Sequence, residues 1–123
     1  MKIKKLLASL FAVILCLCFS ACDNSPEIVL DNQGRVTLDS AKELAQYVVD
    51  EHCKVNDYGE YFYYASTTGE GHSELVYSED DWLLSFNETG SKKDDIKNDI
   101  VVYVSSDGTN VCIIGIPGDN PLA

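Results

Sequence analysis

Two side-chain types in this chain can do covalent chemistry, and they are sparse. The histidines are His52 and His72, and the five cysteines include Cys53 and Cys112 in the body of the chain. His52 and Cys53 adjoin, as a thiol nucleophile and its base would. On a helix, however, neighbours project about 100° apart and do not face each other. His72 sits in the turn-forming run Gly69-Glu70-Gly71-His72. A thiol enzyme also wants an orienting third group and an oxyanion site, and no stretch carries their signature. No catalytic residue is assigned. The histidines and body cysteines show no close metal-ligand spacing. Glu79-Asp80-Asp81 and Asp94-Asp95 with Asp99 offer oxygens. They lack the alternating ligands and central glycine of a calcium loop, so the expectation is solvated turns, no metal and no cofactor.

A third cysteine, Cys22, has a different context. Lys2, Lys4 and Lys5 form a cationic head, Leu6 to Phe19 is apolar apart from Ser9, and Ser20-Ala21-Cys22 follows. This is the layout of a secretory signal, and its apolar run of about 14 residues is shorter than the roughly 20 a membrane span needs. Phe19-Ser20-Ala21-Cys22, with Phe19 where leucine is usual, resembles the lipobox of bacterial lipoproteins. The resemblance covers the leader only. It implies removal of residues 1–21, diacylation of Cys22 with palmitoyl-type chains, and a lipid-anchored protein on the extracytoplasmic face of the cell membrane. Two acyl chains suffice for stable anchoring. Asp23 after Cys22 resembles an inner-membrane retention signal of some Gram-negative envelopes.

Charge excludes one class of partner. The chain has 20 acidic and nine basic residues, and losing the leader's three lysines takes the net charge from −11 to −14. Nucleic-acid binding needs a basic footprint, so no nucleic acid is expected. The same acidity disfavours anionic headgroups, leaving attachment to the lipid.

The elements that must position these residues follow from periodicity. Residues 22–37 read as a tether, with Ile28-Val29-Leu30 and Arg35-Val36-Thr37-Leu38 as a possible small hairpin. Residues 38–118 read as one domain, too short for two, and 119–123 as a tail. Ser40 to Lys54 is a helix: Ser40 and Glu43 match a capping box, with Asp39 as the alternative cap. Ala41, Leu44, Ala45, Val48, Val49 and His52 fall on its apolar face. At its end the macrodipole favours a charged His52.

Beyond the helix the period becomes two. Glu60–Ala65, Ser73–Tyr77, Trp82–Asn87, Asp99–Ser105 and Asn110–Ile116 read as strands separated by turn-formers. Asp107-Gly108 marks a tight turn pairing Val104 with Val111 and Val102 with Ile113. The expected class is α+β: an amphipathic helix on a curled antiparallel sheet of about five strands. The shape resembles cystatin-like or NTF2-like architecture, a likeness that carries no function.

Both faces of the last hairpin are apolar. Ile100, Val102, Val104, Val111 and Ile113 form an aliphatic face, expected to meet the helix. Val101, Tyr103, Cys112, Ile114 and Ile116 form the other. Either the N-terminal segment covers this second face, or it is a contact surface. Tyr61, Tyr63, Tyr103 and Ile114 are the candidate binding residues, since tyrosine joins apolar area to a hydroxyl. Cys53 and Cys112 form a disulfide only if the helix covers the face bearing Cys112; otherwise they stay apart. The expected function is a non-catalytic envelope module binding a protein or small ligand. A small extracytoplasmic hydrolase or thiol enzyme, and an accessory subunit of an envelope complex or transporter, are the alternatives.

Overall fold

The computed structural model describes residues 25–92 and 95–123. Cys22 and the leader, and Asp94 of the acidic pair, lie outside the described residues. The architecture is α+β: helix α1 (Leu38–Asn56) lies across a sheet of four antiparallel strands. These are β1 (Phe62–Thr68), β2 (Trp82–Asn87), β3 (Ile100–Val104) and β4 (Val111–Gly115), in the order β1-β2-β3-β4. Among the described residues no helix is long and apolar enough to cross a membrane.

Helix α1 starts earlier than its capping-box signal. Thr37 is the N-cap, its hydroxyl accepting from Ser40 N–H. Ser40 is instead buried within the first turn, where its hydroxyl accepts from Val29 N–H and donates to the Glu27 carbonyl. That use ties the N-terminal segment to the helix. Asp57 ends the helix in the left-handed region, with φ of 55°, and its N–H returns to the Cys53 carbonyl. Aspartate tolerates this conformation better than most residues.

The predicted faces are found. Ala41, Leu44, Ala45, Val48 and Val49 pack on Leu84, Phe86, Ile100, Val102, Val104, Val111 and Ile113. The helix therefore covers the aliphatic face, and each fully buried Leu, Val or Phe side chain there contributes roughly 1.5–3 kcal/mol. The predicted register holds, Val102 opposite Ile113 and Val104 opposite Val111. Val36 is fully buried in the same core, its carbonyl accepting from Trp82 Nε1 and its N–H donating to Ser106. The packed unit thus reaches upstream of residue 38, through a small hairpin bridged at Leu30 and Val36.

The fifth expected strand, Ser73–Tyr77, is a correction. Its backbone makes turns instead: His72 N–H bonds to Gly69, Leu75 N–H to His72, and Tyr77 N–H to the Asp81 carboxylate. The turns place Leu75 and Val76 as a cover on Leu83 and Tyr103, joined by Cys112, Ile114 and Leu122. This loop and the C-terminal tail, rather than the N-terminal segment, close the second face of the sheet. Asn120 is also buried, donating to the Ile96 carbonyl, so residues 119–123 are docked.

Candidate functional site

The four tyrosine and isoleucine candidates do not share a surface. Residues paired across strands share a face, and Tyr63 pairs with Phe86, whereas Tyr103 pairs with Leu83 and Cys112. Tyr61 and Tyr63 accordingly belong to the helix side. Tyr61 is only 6% exposed, and Tyr63 lies edge-on to Phe86 with the Lys42 ammonium 4.5 Å from its ring centre. Tyr103 and Ile114 sit under the 69–81 loop and Leu122. Tyr103 is likewise 6% exposed, its hydroxyl donating to Asp81 at 2.9 Å. Tyr61 and Tyr103 are buried, Tyr63 and Ile114 are half-buried, and the four are split between the two faces of the sheet.

Asp81, predicted to lie in a solvated acidic turn, is among the most buried side chains, at 1% exposure. Its carboxylate accepts from Tyr77 N–H, Ser78 N–H, Ser106 N–H and the Tyr103 hydroxyl. Buried carboxylates persist only when their lone pairs are used, and this one is used fourfold. Burial and the Asp81 hydrogen bond push the Tyr103 hydroxyl far above its ordinary pKa. Asp81 thus joins the cover loop, the sheet and the β3–β4 turn.

No disulfide joins Cys53 to Cys112. Cys53 is in the helix-side core and Cys112 packs on the opposite face, which is the geometry under which the pair cannot meet. Burial, with the Asp50 charge behind it, raises the Cys53 thiol and keeps it protonated. His52, expected to favour its charged form, does the reverse: burial lowers its pKa. Its Nε2 is buried and accepts or donates no hydrogen bond, while its ring meets Tyr58 edge-on at 5.6 Å. The dipole of the helix end is outweighed by desolvation. Among the described residues no group of three His, Cys, Asp or Glu side chains is placed to hold a metal ion.

A surface concavity lies where α1 ends and β1 begins. A groove of about 560 Å³ is lined by Asp50, Cys53 and Lys54 of the helix and Tyr58, Glu60 and Phe62 of the following chain. Gln46 braces its wall, donating to both the Tyr61 carbonyl at 2.8 Å and the Asp50 carboxylate at 2.9 Å. Phe62 and Tyr58 remain 45% and 38% exposed, so apolar area is available for a ligand. Asp50 and Glu60 bring negative charge to the groove, beside the last turns of α1. Lys54 is held by Glu51 at 3.5 Å. Burial and then the Glu88 charge raise the Tyr61 hydroxyl above its ordinary pKa.

Strand β1 borders this groove and is an outer strand. Its residues are all partly exposed, whereas β3 is buried throughout. Apart from the β1–β2 ladder, residues 62–68 make no backbone–backbone hydrogen bond among the described residues. Sequence reasoning found the aromatic run but not its exposed member. The signal was the boundary between the helix period and the strand period, where chain reversal leaves a concave corner. No family model, no curated protein and no solved structure matches this chain.

Proposed function

We propose that the chain is a bacterial lipoprotein, held on the extracytoplasmic face of a membrane by acyl chains on Cys22, whose α+β domain is a non-catalytic binding module. Anchoring is supported by the lysine head, the apolar run and Ser20-Ala21-Cys22. Binding is carried by one observation: a concave surface joins exposed aromatic area to a strand edge with no backbone partner among the described residues. Concave, partly apolar sites with a few convergent polar groups are where ligands bind. The thiol of Cys53 contributes packing there, since a buried, protonated sulfur is a poor nucleophile. A cystatin-like or NTF2-like shape is the architecture we attach to it, supported by one helix lying across a single antiparallel meander.

Mass spectrometry of the native product tests the anchor. The expected species begins at Cys22 and carries acyl mass; Cys22→Ala releases the domain from membranes. A product retaining residues 1–21, or one beginning at an unmodified Cys22, overturns it. Cross-linking from a photoreactive residue at position 62 in intact cells tests the groove. A discrete adduct absent when the probe sits at exposed Glu70 is expected, and equal labelling from both positions argues against a site.

A further inference from the structure

The binding-module reading leaves open what occupies the groove and the strand beside it. Edge strands are normally guarded by lysine, proline, brevity or a covering element, because their unpaired N–H and C=O groups template a further strand. Strand β1 runs for seven residues, Phe-Tyr-Tyr-Ala-Ser-Thr-Thr, with no charge and no proline. A bulge between Tyr63 and Ala65 bends its first half, but the ladder is regular from Ala65 to Thr68. Across the whole strand Phe62, Tyr63, Tyr64, Thr67 and Thr68 are aromatic or β-branched types that suit a sheet.

The guards stand at the two ends. Glu60 precedes the strand and Glu70 follows it. In a two-fold antiparallel pairing of two copies about Ala65, Glu60 of each chain would lie opposite Glu70 of the other. Like charges so placed destabilise a strand pair, and the net charge of −11 opposes the approach of a second copy further. The arrangement that rejects a second copy favours a strand of opposite sign. On the groove side Asp50 and Glu60 add to that preference, and Phe62 and Tyr58 give a cationic or apolar side chain a flat surface.

We propose that the outer edge of β1 takes an extended, lysine- or arginine-bearing segment of a partner protein as a fifth strand, with its basic side chains over the acidic aromatic groove. Main-chain hydrogen bonds supply the affinity and the acidic rim selects the sign, as in other strand-addition complexes. This rests on the binding-module reading above.

The test uses the full chain in mild detergent and two nine-residue probes, one alternating lysine with valine and one alternating glutamate with valine. Hydrogen exchange is followed by mass spectrometry. The lysine peptide is expected to slow exchange in 62–68, and the glutamate peptide to leave it unchanged. Asp50→Lys with Glu60→Lys should weaken the lysine peptide by about tenfold or more, as rim charges set partner choice. Ser66→Pro and Thr67→Pro provide the backbone arm, since adjacent strand residues direct their N–H groups to opposite sides. One of the two breaks the β1–β2 ladder; the other keeps the native melting temperature and must abolish the protection. Protection that survives in that folded variant overturns the proposal. Shifts confined to the groove, with no slowing in 62–68 at millimolar peptide, overturn strand addition while keeping the groove as a site. No response in either place overturns both this and the binding-module reading. Protection that rises with protein concentration alone assigns the edge to a second copy and overturns the cationic partner.

Discussion

The two sides of this molecule use the same residue types to opposite ends. Around Asp81 a carboxylate, a tyrosine and turn backbone are spent on one another: every bond closes inside the fold. Around Asp50 and Glu60, carboxylates and aromatics border a groove, and the outer edge of the neighbouring strand finds no backbone partner among the described residues. Acidic and aromatic composition therefore does not announce a binding site. What separates structure from function is whether the polar groups are already satisfied, because a satisfied buried group stabilises while an open one recruits a partner.

The most severe way to break the comparison is Asp81→Ala. It leaves three backbone N–H groups and a tyrosine hydroxyl without their acceptor, and each unsatisfied buried group costs about 1–3 kcal/mol. Water entering the loop will offset part of this, so a loss of about 3–5 kcal/mol in urea unfolding is expected. Asp50→Asn, which keeps an acceptor for Gln46 at the exposed groove, should fall within about ±0.5 kcal/mol. Equal losses from the two substitutions would erase the distinction.

A glycine on each side sharpens it. At Gly69 an added Cβ would stand 2.3 Å from the Ser78 carbonyl oxygen and 2.7 Å from Val76 Cγ2. The loop crosses its own backbone there, so Gly69→Ala should cost about 1–3 kcal/mol by forcing the cover off the sheet. At Gly59, in the groove wall, nothing lies within 4 Å of such a carbon. Gly59→Ala should leave the melting temperature near native. Tyr103→Phe comes next in size, deleting one hydroxyl that donates to Asp81 at a cost of about 1 kcal/mol. In thermal unfolding it should shift the midpoint less than Gly69→Ala.

The elements were legible where a local pattern coincides with the tertiary one. Val48 and Val49 sit on a helical stripe, and Asp107-Gly108 sets a turn, so the helix face and the β3–β4 register could be read directly. Ser73–Tyr77 ends in apolar and aromatic residues like the true strands, yet its backbone turns on His72 and its last N–H goes to Asp81, a partner that no local pattern reveals. Asp81 itself is hidden among Glu79 and Asp80, which are exposed in the fold. The groove was half legible: its tyrosines were visible as a run, but which of Tyr61, Phe62 and Tyr63 stays exposed is decided by where the chain leaves the helix and by the bulge after Tyr63. The N-cap was misplaced because Ser40 carries a good capping signal and spends its hydroxyl on Val29 and Glu27 instead.

The smallest expected effect is at His52, whose ring meets the groove residue Tyr58. Its Nε2 is buried without a partner, and burial lowers its pKa below the ordinary 6.5. The folded state then holds fewer protons than the unfolded state between the folded pKa and about 6.5. Stability must rise with pH across that window, is fully present above it, and is lost as pH falls through it. His52→Gln removes the titrating group, so the urea midpoint of the variant should lose the part of the slope that wild type shows below about pH 6.5. A wild-type midpoint that instead climbs as pH falls through this range would mean His52 gains a partner when charged. Tyr58, which the His52 ring meets, lines the acidic groove, so that outcome would place His52 in the open region rather than the closed one.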